Sequence, residues 1–406
     1  MHSISDPTRV RFTGPLALYA PGLVEKLTLL GYASTSATIQ VQLAAHLSRW
    51  MTSEALMPQD LTGPVIERFL AARRASHTHN YSLQALAPVL GYLRLQGVVP
   101  AALVVQPSSP SEVALAQYRR WLRQERGVSV PVTQAYSHWV TPFVKHRTDV
   151  DGQLEFAGLS ANDVARFVSA SLPMMTRKTA QMTACALRSF LRFLHEQQMV
   201  ELGLADAIPA VLNRRLSGLP QALTPAQVDA LLAVCDRSTP VGRRDYAVIT
   251  VFHRLGLRCA EVAGLRLEDL DWQAGTLLIH GKGDRVDRLP LPIDVGEAMV
   301  EYLHHGRPRS TSRAVFVRAR APFTQMAPSS VSCIVGRAAQ RAGLGTIHAH
   351  RLRHTTASRT LNAGASLEEV AHLLRHASAS TTVIYAKTAQ TRLAQLARPW
   401  PGIGGQ

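Results

Sequence analysis

The sequence predicts a mainly α-helical protein with one small antiparallel β-sheet in its C-terminal part, an α+β arrangement. Three observations carry this. Apolar residues recur at helical period through most of the chain. Helix-start signals open several of those runs, as in Thr224-Pro225-Ala226-Gln227 and in Ser366 with Glu369 three residues on. Strand character is concentrated in "TLLIHGKGDRVDRLPLP" (Thr276 to Pro292), which reads as two short strands around a Gly/Asp turn.

Two breaks organise the chain. "VVQPSSPSEV" (Val104 to Val113) and "NRRLSGLPQALTPAQ" (Asn213 to Gln227) read as linkers and leave three segments of roughly 110, 105 and 185 residues. The expected domains are residues 1–105, 111–215 and 221–406. The first two look alike. In "DLTGPVIERFLAARR", Leu61, Val65 and Phe69 align with Leu159, Asp163 and Phe167 of "GLSANDVARFVSASL" at an offset of 98. "LAPVLGYLRLQGVV" (Leu86 to Val99) parallels "LRSFLRFLHEQQMV" (Leu187 to Val200) at an offset of 101. Two copies of one small helical domain are expected. In the third segment, "RRDYAVITVFHRLG", "DVGEAMVEYLHH", "PSSVSCIVGRAAQRAG", "HRLRHTTASRTLNAG" and "SLEEVAHLL" are the expected helices.

Composition narrows the partners. The 406 residues carry 44 Lys+Arg against 28 Asp+Glu, a formal net charge of +16. A basic protein of this size points to nucleic acid. Residues from 221 onward hold 23 basic and 14 acidic residues, net +9, and the first 220 hold the other +7, so several domains are expected to touch the polyanion. No apolar run of about 18 residues suggests a membrane span. The N-terminus lacks a signal-peptide core. The four scattered cysteines, Cys185, Cys235, Cys259 and Cys333, fit a reducing cytoplasm and supply neither a disulfide framework nor a zinc site.

Candidate chemistry lies in the third segment. Tyr385 ends "HLLRHASASTTVIY", with His376 nine residues before it. Arg258 follows Gly256, Lys282 sits between two glycines, and His350 and Arg353 share a helix face at a spacing of three. Each has a plainer reading: Arg258 as a partner of Glu261, Lys282 as a solvated turn residue, the His350–His354 stretch as a polar helix face, Tyr385 as packing. Composition speaks for Lys282. Only Lys282 and Lys387 are lysines after residue 221, against 21 arginines. Lysine yields a proton where arginine cannot, so a lysine among arginines suits a general acid.

Together, "LGLRCAEVAGL", "HGKGDRVDRLPL", "HRLRHTTASRTLNAG" and "LLRHASASTTVIY" resemble, in order and spacing, the signatures of the tyrosine recombinases, the phage-integrase family. The resemblance covers roughly residues 221–390, and residues 111–215 resemble that family's core-binding domain. It implies a recombinase catalytic fold preceded by helical SAM-like DNA-binding domains. It further implies that Tyr385 is the nucleophile and forms a 3′-phosphotyrosine link, that Arg258 and Arg353 clamp the phosphate, and that Lys282 protonates the leaving 5′ oxygen. His350 would assist proton transfer, His376 would bond the phosphate, and Glu261 would support Arg258. No metal or other cofactor is implied. The partner would be double-stranded DNA, bound by a homotetramer in the cytoplasm at the nucleoid. The implied activity is that of a site-specific recombinase or transposase-like integrase; a type IB-like topoisomerase, a telomere resolvase and a non-catalytic DNA-binding regulator are the alternatives. One departure stands out: the family has glycine before the third-motif histidine, where this chain has Arg375. Arg375 is expected either to end its helix differently or to contact phosphate. In the N-terminal copy, Arg68, Arg73 and Arg74, near His77 and His79, form a second candidate DNA contact.

Overall fold

The computed structural model describes residues 6–100, 107–200, 203–209, 222–281 and 285–375. These fall into two compact units: residues 103–217, and the segments on either side of them, which belong together. The chain is helical with one small sheet, the class its periodicity predicts.

The N-terminal segment has four helices: α1 (Ala20–Leu29), α2 (Ser34–Ser53), α3 (Gly63–Ser76) and α4 (Leu83–Leu95). Leu27, Leu47, Phe69 and Leu90 are fully buried in their shared core. The unit of residues 103–217 repeats the count with α5 (Pro110–Gln124), α6 (Val130–His146), α7 (Ala161–Ser171) and α8 (Arg177–Glu196). Its core is aromatic: Tyr118, Phe143, Phe190 and Phe193 are all buried, with Tyr118 edge-on to Phe190 at 5.1 Å between ring centres. The expected linker at Val104–Val113 is partly helix. Ser109 caps α5 and Glu112 completes the capping box, so residues 110–113 belong to the first turn.

The repeated pattern has structural counterparts. Leu86 and Leu187, Leu90 and Leu191, Leu93 and Leu194, and Val99 and Val200 are 101 residues apart, and all eight are buried. α4 and α8 also end the same way. Gly97 (φ 69°) and Gln198 (φ 56°) take the left-handed conformation, and the amides of Val98 and Met199 return to the carbonyls of Leu93 and Leu194 at 3.1 and 2.9 Å. Glycine takes that conformation at little cost and glutamine does not. The 98-residue offset fares less evenly. Phe69 is buried, Phe167 is half-buried, and Asp163 faces out as the capping-box partner of Ser160 where Val65 packs on the core.

The C-terminal segment is built around α10 (Pro240–Leu255), which follows α9 (Pro225–Ala233). Ala247, Val248, Ile249, Val251 and Phe252 of α10 are all 0% exposed. Apolar contact on every side makes it a central helix. It packs against α12 (Ile293–His305), α13 (Pro328–Arg341) and α14 (Ala349–Asn362). α11 (Cys259–Gly264) leads to strands β1 (Leu270–Asp271), β2 (Thr276–His280) and β3 (Val286–Pro290), an antiparallel sheet in sequence order with Leu277 opposite Leu289. α15 (Leu367–Leu374) is the last element among the described residues, capped by Ser366 and Glu369 as its sequence predicts.

The N-terminal and C-terminal segments meet at Gly31. The Phe323 amide donates to the Leu30 carbonyl at 3.0 Å, and the Phe323 ring lies over Gly31, where any Cβ would overlap it. Gly31 is also left-handed, at φ 81°. Gly31→Ala should therefore destabilise the protein by about 1–3 kcal/mol through backbone strain and overpacking. In denaturant unfolding, adding Phe323→Ala should recover the overpacking part, so the pair of substitutions should cost less than their sum.

Candidate active site

Arg258 owes its position to the turn that ends α10. Gly256 adopts the left-handed conformation (φ 58°) that stops the helix, and Arg258 then becomes the N-cap of α11. Glu261, at the third position of α11, reaches back. Its Oε2 accepts the Arg258 amide at 2.8 Å and its Oε1 accepts Arg258 Nη1 at 2.7 Å. The carboxylate side chain is 4% exposed, whereas the Arg258 side chain is 43% exposed. Burial alone would push the Glu261 carboxyl up. The Arg258 amide and the guanidiniums of Arg375 and Arg258 outweigh it and hold the group below its usual range.

α14 brings the next residues. Arg353 is 1% exposed. It donates through Nη1 to the Gly256 carbonyl at 2.5 Å and through Nη2 to the Leu374 carbonyl. His350 and His354, one turn apart, stand edge to face with ring centres 4.3 Å apart. The carbonyl of Arg375 accepts Arg258 Nη2 at 3.2 Å. Arg258, Glu261 and Arg353 thus meet at the C-terminal end of α15. Next to β2 and β3, the Gly281 amide donates to the Arg285 carbonyl at 2.7 Å. Lys282, His376 and Tyr385 lie outside the described residues.

Comparison with known proteins settles the family. Residues 221–392 match the phage integrase family, and residues 115–198 match the phage integrase N-terminal SAM-like domain. The protein named "Putative integrase/recombinase y4rA" of Sinorhizobium fredii is 38% identical over 393 residues, 96% of this chain and 95% of its own. The chain belongs to the phage integrase family. The tyrosine recombinase XerC of Bacillus pumilus is 31% identical over 283 residues, 67% of this chain and 91% of that protein. Tyrosine recombinases are DNA strand-transferring enzymes, and this chain is a site-specific recombinase of that class. Its fold is shared with the XerH site-specific recombinase bound to palindromic difH substrate (TM-score 0.57, 20% identical, 82% of this chain and 94% of that one). It is shared too with the Tn1549 transposon integrase in complex with transposon right end DNA (TM-score 0.52, 17% identical, 70% of this chain and 99% of that one).

Two of the expected DNA-contact residues are buried and have partners within the protein. Arg375 does end its helix in the left-handed conformation, φ 52° and ψ 49°, with an arginine where glycine fits more easily. Its side chain is 3% exposed and pairs with Glu261 Oε2 at 2.9 Å. Arg73 is also buried. It donates to the Asn80 carbonyl at 2.7 Å and bonds His46, which makes it a structural tie within the N-terminal segment. Arg68 and Arg74 are exposed and pair with Glu54 and Glu67.

Sequence reading missed a row of arginines on α5. Arg119, Arg120 and Arg123 are exposed and line a cleft of about 780 Å³ with Gln124, Thr133 and Gln134. No carboxylate pairs with the three among the described residues. "YRRWLR" was the available signal, with its buried Tyr118, Trp121 and Leu122 on the opposite face.

Burial holds His46, His253 and His354 neutral, each pushed down to about 4, with help from nearby cations that include Arg73, Arg359 and Arg353 respectively. In the unfolded chain, histidine takes its proton near pH 6.5. As pH falls, the unfolded state therefore binds protons first. The stability these groups contribute should be complete above about pH 6.5 and drain away towards pH 4. Denaturant midpoints taken across that window should fall with acidification, and His253→Gln should flatten the dependence.

Proposed function

We propose that the recombinase cuts one strand of each partner duplex at a time and rejoins the strands through a 3′-phosphotyrosine bond, without metal or ATP. The Tyr385 oxygen attacks the scissile phosphorus, the bond to the 5′ oxygen breaks, and Lys282 gives that oxygen its proton. Arg258 and Arg353 neutralise the charge that builds on the non-bridging oxygens. His350 takes the tyrosine proton and His376 bonds the phosphate. Glu261 orients Arg258. Religation runs the same steps backwards, so the bond energy is kept in the protein–DNA link.

The observation that supports this reading is where the two arginines go. They come from points 95 positions apart in the chain, yet Arg353 bonds the carbonyl of Leu374 and Arg258 bonds that of Arg375. Those carbonyls directly precede the segment holding His376 and Tyr385. A cation pair anchored at the base of the nucleophile segment suits attack on a phosphodiester.

The partner in this reading is duplex DNA in the cytoplasm. XerH and the Tn1549 integrase, which share the fold, are described as DNA-bound. In this chain the exposed arginines of α5 offer a second unit to the phosphate backbone. Residues 1–105 read as a diverged duplicate of the core-binding domain at 111–215, supported by the four-helix count and the matched ends of α4 and α8. Arg68 and Arg74 would let that copy lengthen the site. Exchange between two duplexes calls for four active sites, so a homotetramer on DNA is the proposed working form.

The direct test is Tyr385→Phe on a nicked suicide substrate. It should bind DNA as the wild type does and form no covalent adduct on a denaturing gel; an adduct with the Phe variant would place the nucleophile elsewhere. Lys282→Arg should cleave poorly although its charge is kept. A 5′-bridging phosphorothiolate, whose sulfur leaves without a proton, should restore that cleavage, and a failed rescue would make Lys282 a DNA-positioning residue.

A further inference from the structure

Glu261 serves two guanidiniums that differ sharply in exposure. The Arg258 side chain is 43% exposed; that of Arg375 is 3% exposed. Oε1 of the carboxylate takes Arg258 Nη1 at 2.7 Å. Oε2 takes Arg375 Nη2 at 2.9 Å together with the Arg258 amide at 2.8 Å. An arginine facing a carboxylate alone closes into a two-pronged fork and spends two donors on it. Here the second oxygen is already occupied. Arg258 keeps a single side-chain contact with Glu261, and its Nη2 makes a longer bond, 3.2 Å, to the Arg375 carbonyl. That longer bond is the one most readily exchanged for a phosphate oxygen.

We propose that Arg375 is a positioning residue for strand cleavage: by occupying one oxygen of Glu261, it prevents the two-pronged Arg258–Glu261 pair and leaves Arg258 donors for the scissile phosphate. This rests on the phosphotyrosine reading above. It explains what the buried arginine does at a left-handed position that glycine would occupy with less strain. Its side chain never meets the DNA; its action passes through Glu261.

The test is a double-mutant cycle of Arg375→Gly and Glu261→Gln on the full chain. The readouts are adduct formation on the suicide substrate at saturating DNA, DNA affinity, and thermal melting. Glycine suits the left-handed site, so Arg375→Gly should fold and bind DNA with affinity near the wild type. Its adduct should form more slowly by on the order of ten- to a hundredfold, the worth of one charge-assisted hydrogen bond. Next to Glu261→Gln, the same change should have little further effect, since there is no carboxylate left to share. Wild-type rates for Arg375→Gly, or an equal loss in both backgrounds, would overturn the proposal. If Arg375→Gly melts below the assay temperature, Arg375→Met, which keeps the apolar stem, is read by the same cycle. A wild-type chain that forms no adduct would refute the phosphotyrosine chemistry and this role with it. A wild-type adduct indifferent to Arg375 would refute the role alone.

Discussion

A buried guanidinium ties the catalytic segment of this recombinase together. Arg353 sits almost wholly out of solvent, and a charge in that position persists only with good acceptors around it. It finds them in main-chain carbonyls at two helix ends, Gly256 after α10 and Leu374 closing α15. Carbonyls there have no partner within their own helix, so the arginine satisfies groups that would otherwise be orphaned in the interior. That one side chain ties the turn through Gly256, which sets the position of Arg258, to the end of α15.

The same arrangement sets terms for the chemistry. Phosphate oxygens are stronger acceptors for arginine than neutral carbonyls are. In the proposed mechanism a scissile phosphate competes with the carbonyls of Leu374 and Arg375 for these arginines. Glu261 moderates the excess positive charge. One carboxylate between the Arg258 and Arg375 guanidiniums leaves a net single positive charge in the cluster, with the exposed part on Arg258.

Much of this was legible in the sequence because it is local. The capping boxes at Thr224 and Ser366, the helix stop at Gly256 and the hairpin after Thr276 are encoded within a few residues, and each took the predicted form. β1 escaped notice because two residues carry no period. The inward turn of Arg73 was not legible either. Its partners are Asn80 and His46, and a histidine 27 positions away leaves no trace in the pattern around an arginine. The partner of Arg375 was hidden for the same reason: Glu261 lies 114 positions before it.

α15 has a core of its own. Ala357, Leu361, Val370 and Leu374 form a small apolar cluster separate from the large one around α10. Elements fixed by few apolar contacts open at lower free energy than the body they sit on. α15 therefore has less apolar packing to hold it than α10, which is buried on all sides, and relies also on the polar ties of its end to Arg353, Arg258 and Glu261. Local opening at α15 thus costs less free energy than opening at α10.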